Sequence, residues 1–261
     1  MNFFGLVLTL LVGLFILLGS LLANKFKDNK RFADFSISLA FGVIFALILF
    51  ELLPEVYETL RTDLNLFKTI LCIIILSLIG IFMLKILDSF IPHHEHEAHH
   101  NHTHKNEDCH NEHLQHIGLI SATAIIVHNI IEGMSLYLVS NASIMSGLFM
   151  CVGIGLHNIP MGLVISSTLY NSNYSKKSII KISLLVSLST FAGGIIMFLL
   201  GGVPHIIEGI LLGITLGMLI YILIFELFHQ IYHMKNKKIC NIGIGLGMSL
   251  LAVSIIIKYF I

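Results

Sequence analysis

Long apolar runs alternate with short polar connections along the whole chain. Eight segments are apolar over the length of about 20 residues that a membrane-spanning helix needs. The pattern therefore predicts an all-α membrane protein with eight transmembrane helices in one transmembrane domain, residues 1–261. The predicted helices cover roughly 2–23, 34–55, 67–89, 117–139, 143–169, 178–200, 205–231 and 240–260.

Two of these segments repeat one another. FGVIFALILFELLPEVY at 41–57 matches LGMLIYILIFELFHQIY at 216–232, and Gly, Glu and Tyr stay in register. The second and seventh of eight helices run in opposite directions, so the match predicts an inverted repeat that relates helices 1–3 to helices 6–8. Helices 4 and 5 then lie between them in a 3+2+3 arrangement, which is typical of transporters. The alternative is chance similarity between two Ile/Leu-rich helices.

Composition agrees with the apolar pattern. Hydrophobic residues make up 56% of the chain and charged residues 11%, whereas about 25% of a soluble domain is charged. Mean hydropathy is +0.91. The formal net charge is zero, so no basic surface indicates a nucleic-acid partner. The partner that this composition predicts is the lipid bilayer.

Lysine and arginine are distributed unevenly among the connections. They cluster at 24–32, 173–181 and 233–240, and the other short connections hold few. All three clusters fall on one side only if there are eight helices, and basic loops mark the cytoplasmic side. We therefore expect a multi-pass protein, with the plasma membrane as its predicted location, both termini outside, and the connection between helices 3 and 4 in the cytoplasm.

That connection, residues 90–116, is rich in His, Glu and Asn. Ten of the fifteen histidines lie between His93 and His116. The tract has no apolar periodicity, so we expect a flexible cytoplasmic loop that binds Zn²⁺ weakly. It would act as a metal sink or sensor, or as a tether that binds metal only incidentally.

Two polar motifs stand inside apolar helices. VHNIIEG begins at Val127, and LHNIPMG begins 29 residues later. Ionisable groups within membrane helices face the bundle interior and mark ion pathways. Imidazole nitrogen with carboxylate and amide oxygen suits Zn²⁺, with Fe²⁺ and Mn²⁺ as alternatives, and the competing interpretation is hydrogen bonding between helices. The predicted metal ligands are His128, Asn129, Glu132, His157 and Asn158.

These motifs resemble the paired signatures of helices 4 and 5 in the ZIP (Zrt/Irt-like protein) metal-transporter family, which read HNxxEG and HNxPEG. FSISLAFGVIFALILFELLPE resembles the family's second helix, and LDSFIPHHEHE its third helix leading into a histidine loop. The resemblance implies a metal site between helices 4 and 5 and divalent metal uptake into the cytoplasm. It also implies an elevator-like motion and a homodimer.

The chain departs from the family pattern at two positions. Met161 stands where helix 5 usually has Glu, and Thr190 where helix 6 often has one. Both missing carboxylates would serve a second metal, so we expect one ion per site. Met161 would be a soft ligand or plain packing. Glu51 and Glu226, the repeated glutamates, would be relay carboxylates or interfacial acids.

The sequence thus predicts a transporter of divalent metal ions rather than an enzyme, with Zn²⁺ as transported substrate and no resident cofactor; iron, manganese and cadmium are alternative substrates. One rival is an intramembrane metal-dependent hydrolase that uses His128, His157 and Glu132. The other is a membrane metal sensor that uses the histidine-rich loop.

Overall fold

The computed structural model describes residues 3–27, 29–90, 105–171 and 174–259, and nearly all of them are helical. Eight helices are long and apolar enough to cross a membrane, which confirms the predicted all-α, eight-helix membrane protein. They are α1 (Phe3–Lys25), α2 (Lys30–Arg61), α3 (Leu66–Phe90), α4 (Lys105–Ala142), α5 (Ile144–Asn171), α6 (Lys176–Leu200), α7 (His205–His233) and α8 (Lys237–Tyr259).

Helix α4 begins earlier than the apolar pattern predicts. Its backbone is helical from Lys105, within the tract that we expected to be a flexible loop. The apolar span itself runs from Gly118, close to the predicted start at 117. A helix satisfies its backbone groups internally, so it can continue into a polar sequence. Residues 91–104 lie outside the described part of the chain.

Helices α2 and α7 each contain a short π-helical segment, Ile48–Leu52 in α2 and Ile222–Leu227 in α7. The two segments occupy equivalent positions in the sequence repeat, and each contains one of the repeated glutamates. Pro54 follows only the first segment, so proline is not their common cause. π-Helical turns occur frequently at functional sites.

Helices α1 and α5 approach each other backbone to backbone. The α-carbon of Gly19 faces the carbonyl of Ile159, and Gly162 faces the carbonyl of Ile16. A methyl group added at either glycine would overlap the facing carbonyl oxygen. Small residues allow such close approach of membrane helices, so these glycines hold α1 against α5.

Helices α4 and α6 make the same kind of contact. Gly133 faces the carbonyl of Thr190, and Gly193 faces the carbonyl of Ile130. Ile130 and Gly133 lie 29 residues before Ile159 and Gly162, their counterparts in α5. The motif in α4 therefore packs against α6 in the same way as the motif in α5 packs against α1.

The remaining four helices pack as two pairs. Gly42 of α2 faces the carbonyl of Ile244 in α8, and Gly217 of α7 faces the carbonyl of Ser77 in α3. Gly42 and Gly217 are equivalent positions of the sequence repeat. The glycine that is repeated in the sequence therefore makes a repeated contact.

Helices α4 and α5 are among the most buried helices of the bundle. Within the apolar windows of the helices, 72% of α5 and 67% of each of α4, α2 and α7 are buried, against 17% of α3. A buried hydroxyl cluster also ties α5 to its neighbours, because Ser166 Oγ lies 2.8 Å from Ser20 Oγ of α1, which lies 2.8 Å from Ser183 Oγ of α6. The two polar motifs thus occupy the interior of the bundle.

Candidate metal site

Three of the predicted ligands come together between α4 and α5. His128 and Glu132 lie one turn apart on α4, and His157 comes from α5. Glu132 Oε1 is 2.8 Å from His157 Nε2 and 3.7 Å from His128 Nε2. One potential ligand atom from each residue lies within 4.8 Å of the other two. The carboxylate therefore stands between the two imidazoles.

The cluster is buried. The side chain of His157 is fully enclosed, and those of His128 and Glu132 are 7% and 9% exposed. Water offers such groups little solvation, and charge in a low-dielectric interior needs a counter-charge. Glu132 would attract a divalent cation bound here. The cation would lose its hydration shell on entering the cluster, and ligation by the three side chains would offset that cost.

Asn129 links α4 to α6. Its Nδ2 donates a hydrogen bond to the carbonyl of Val186 at 3.2 Å, and the residue is fully buried. Among the described residues its Oδ1 has no hydrogen-bond partner. The amide nitrogen therefore serves packing, and the oxygen is the atom with ligand capacity.

Asn158 is fully buried on α5. Within the described part of the chain, neither its Oδ1 nor its Nδ2 has a hydrogen-bond partner. Leaving a buried polar group unpaired costs about 1–3 kcal/mol. Amide oxygen is a ligand for divalent cations, so the unpaired Oδ1 of Asn158 is an atom with ligand capacity.

A cavity adjoins the cluster and brings further polar groups to it. His128 and Glu132 line it together with Glu51 and Glu55 of α2 and Ser135 of α4. Ser135 was not among the residues that we predicted from the sequence, although it lies on the same α4 face, three residues after Glu132. The π-helical segment of α2 thus brings Glu51 to the same cavity as the cluster.

The other predicted residues lie elsewhere or serve packing. Glu226 is buried in the π-helical segment of α7 and is not one of the residues that line this cavity. Met161 is fully buried in the main apolar core. Thr190 is also fully buried, and its carbonyl faces Gly133.

The donor set suits one labile divalent ion. Bonds of about 2.1 Å place two ligand atoms of a tetrahedral zinc roughly 3.4 Å apart. The distances of 2.8 and 3.7 Å from Glu132 to the two imidazoles bracket that value. Among the described residues the cluster includes no thiolate, and thiolates are the usual ligands of permanent structural zinc sites.

Comparison with known proteins gives one consistent result. The family model for the ZIP zinc transporter matches residues 1–117 and 92–255. Zinc transporter ZupT of Chlorobium chlorochromatii is 28% identical over 201 residues, which cover 76% of this chain and 75% of that protein. Zinc transporter ZupT of Streptococcus mutans is 28% identical over 195 residues, 74% of each chain. The resemblance inferred from the two motifs is confirmed, and the chain belongs to the ZIP zinc transporter family.

Proposed function

We propose that this protein carries divalent metal ions, with Zn²⁺ as the main substrate, across the membrane into the cytoplasm through a site between α4 and α5. The cluster of His128, Glu132 and His157 carries the proposal, because it joins zinc-type ligands whose side chains are at most 9% exposed. The names of the relatives as zinc transporters support zinc as the substrate.

The proposed ligands are His128, Glu132 and His157, with Asn129 and Asn158 contributing amide oxygens. Two neutral imidazoles and one carboxylate leave a bound Zn²⁺ with one uncompensated positive charge. Such a site holds the ion more weakly than thiolates do, which suits a substrate that has to leave.

The cavity beside the cluster is the proposed access route from the outer side. Glu51 and Glu55 line it with His128 and Glu132, so an approaching cation meets carboxylates before it reaches the imidazoles. The distribution of basic residues places the Glu51 end of α2 outside. Glu226, at the equivalent position of α7, takes the corresponding part on the cytoplasmic side.

We also propose that the eight helices form an inverted repeat in the 3+2+3 arrangement. The glycine contacts support it, because four contacts in one half have counterparts in the other, at an offset that is fixed for each pair of related helices. The paired contacts are Gly19–Ile159 with Gly193–Ile130, Gly162–Ile16 with Gly133–Thr190, Gly42–Ile244 with Gly217–Ser77, and Gly247–Leu39 with Gly80–Ile214.

The proposed orientation has both termini outside and the histidine-rich tract in the cytoplasm, with the plasma membrane as the location and a homodimer as the assembly. Basic residues at 24–32, 173–181 and 233–240 support the orientation, and the family resemblance suggests the dimer. In this orientation the tract lies where transported metal arrives.

Metal flux into proteoliposomes tests the function. The full-length protein should take up Zn²⁺, as reported by a zinc indicator trapped inside the vesicles, and Glu132→Gln should abolish the uptake. Glu58→Gln, at an exposed position of α2, is the matched control and should transport normally. Uptake by Glu132→Gln equal to that of the wild type would refute the proposed site. Absence of flux in the wild type would favour the hydrolase or sensor.

A further inference from the structure

The last two turns of α7 carry a pair of histidines, His229 and His233. Their ring centroids are 4.7 Å apart with an interplanar angle of 61°, and both residues are exposed. They belong neither to the central cluster nor to the cavity beside it.

Their spacing is that of a metal chelate. Residues at i and i+4 lie above one another on one face of a helix, and two histidines in this relation present both imidazoles to one ion. Around a tetrahedral zinc the two nitrogens are roughly 3.4 Å apart. The ring centroids of His229 and His233, 4.7 Å apart, are close enough for one nitrogen of each ring to bind the same ion.

The surroundings combine one feature that attracts a cation with one that opposes it. The pair lies at the carboxyl end of α7, where the helix dipole carries a partial negative charge. The nearby ammonium of Lys237 is engaged with this helix end, since it donates hydrogen bonds to the carbonyls of Tyr232 at 2.8 Å and Ile231 at 3.2 Å. The Tyr232 ring packs edge-on against His233, with centroids 5.3 Å apart, and restrains that imidazole.

We propose that His229 and His233 form a second, exposed binding site for a divalent transition-metal ion such as Zn²⁺. The ion would be coordinated by two imidazoles and by water molecules, so this site binds a metal ion more weakly than the central cluster and exchanges it faster. Metal binding at this site does not depend on the proposed transport function. Its use as the first station for ions released toward the cytoplasm rests on the proposed function and on the orientation set by the lysines that follow α7.

Histidine labelling with diethylpyrocarbonate tests this site by a readout other than transport. The reagent acylates a free imidazole nitrogen, and a bound metal ion blocks it. In the full-length protein Zn²⁺ should slow the labelling of both His229 and His233 severalfold, as measured by mass spectrometry of the peptides. His229→Ala should abolish the protection of His233, and His233→Ala that of His229, because a chelate needs both rings.

The control variants separate this site from the others. His205→Ala removes an exposed histidine at the opposite end of α7 and should leave both rings protected. Glu132→Gln should also leave them protected, so the result is independent of the central site. Zinc-independent labelling of the wild type, protection of His233 that persists in His229→Ala, or protection that is lost in Glu132→Gln would each overturn the proposal.

Discussion

Glu132 connects the two repeated motifs at the level of single residues. Its Oε1 lies 2.8 Å from the His157 imidazole of the neighbouring helix and 3.7 Å from that of His128 on its own helix. It is the one carboxylate in the cluster of ligand atoms that the described residues form. The site therefore combines one negative charge with two groups that ligate only when neutral.

His128→Ala should abolish zinc uptake and leave the protein in the membrane at wild-type amounts. In the proposed site the imidazole is one of three strong ligands, so its removal should prevent the site from holding the ion. The measurement is zinc uptake normalised to membrane expression. His205→Ala, which removes an exposed histidine whose Nδ1 lies 3.7 Å from the Glu208 carboxylate, is the control and should leave uptake unchanged. Full uptake by His128→Ala would exclude this imidazole as a ligand.

Metal affinity at the central site should fall as the pH decreases from about 7.5 to 5.5. A protonated imidazole nitrogen cannot ligate, and histidine titrates near pH 6.5 in the absence of perturbation. Each proton that the metal displaces weakens binding about tenfold per pH unit. The measurement is zinc titration of protein from which residues 94–112 have been deleted. An affinity that stays constant over this range would contradict imidazole ligation.

The central site should bind one metal ion per protomer in protein that lacks residues 94–112. A second divalent ion needs further carboxylates, and Met161 and Thr190 supply none. Met161→Glu should raise the count toward two or tighten the single site, as measured by elemental analysis. Two tightly held ions in the deletion protein would require another ligand. Glu51, which lines the adjoining cavity, would be tested first by Glu51→Gln.

At the level of helices, glycine decides which surfaces meet. Gly133 follows Glu132 directly and faces the Thr190 carbonyl of α6. Asn129, one turn earlier, donates a hydrogen bond to the carbonyl of Val186 on the same helix. These contacts fix the rotation of α4 about its axis, and that rotation directs His128 and Glu132 toward α5.

Gly133→Ala should destabilise the protein by about 1–3 kcal/mol, the usual cost of inserting a methyl group where there is no room. The added group would meet the Thr190 carbonyl, so α4 and α6 would have to separate. Gly245→Ala is the matched control, because nothing lies within 4 Å of a methyl group at that position of α8. Unfolding in a graded series of denaturing detergent measures both variants, and equal stability would contradict the close α4–α6 contact.

At the scale of the whole molecule, α4 and α5 are enclosed by helices that meet through glycine contacts. Four of these contacts recur in the other half of the chain, at an offset that is fixed for each pair of related helices. The histidine-rich tract lies between α3 and α4 in the sequence, and the glycine contacts of the described residues join the spanning helices themselves.

Deletion of residues 94–112 should leave zinc uptake substantially intact and change how uptake responds to cytoplasmic zinc. The tract offers many imidazoles, and the proposed transport site is built from residues of α4 and α5 outside it. Transport rates of the deletion protein at low and high internal zinc measure the effect. Complete loss of transport in a correctly folded deletion protein would show that the tract belongs to the permeation path.

The sequence alone predicted the helix count, the family and the three residues that the structure brings together, His128, Glu132 and His157. Hydropathy over about 20 residues and the spacing of His128 and Glu132 are local properties. The first gives the length of a spanning helix, and the second puts both side chains on one face of that helix. The repeat of 41–57 at 216–232 likewise predicted equivalent positions, and Gly42 and Gly217 make equivalent contacts. The beginning of α4 at Lys105 was missed, because a polar helix extending into water has no apolar periodicity to mark it.

Only the tertiary structure decided which polar groups meet. It brought Glu51 and Ser135 to the cavity beside the central cluster, but not Glu226, although the two glutamates are equivalent in the sequence. It also gave Asn129 a partner on α6, whereas within the described residues the amide of Asn158 has none. These outcomes depend on helix rotation and on the register between helices distant in the chain. Backbone contacts such as that of Gly133 with Thr190 set both, and an apolar sequence does not encode them locally.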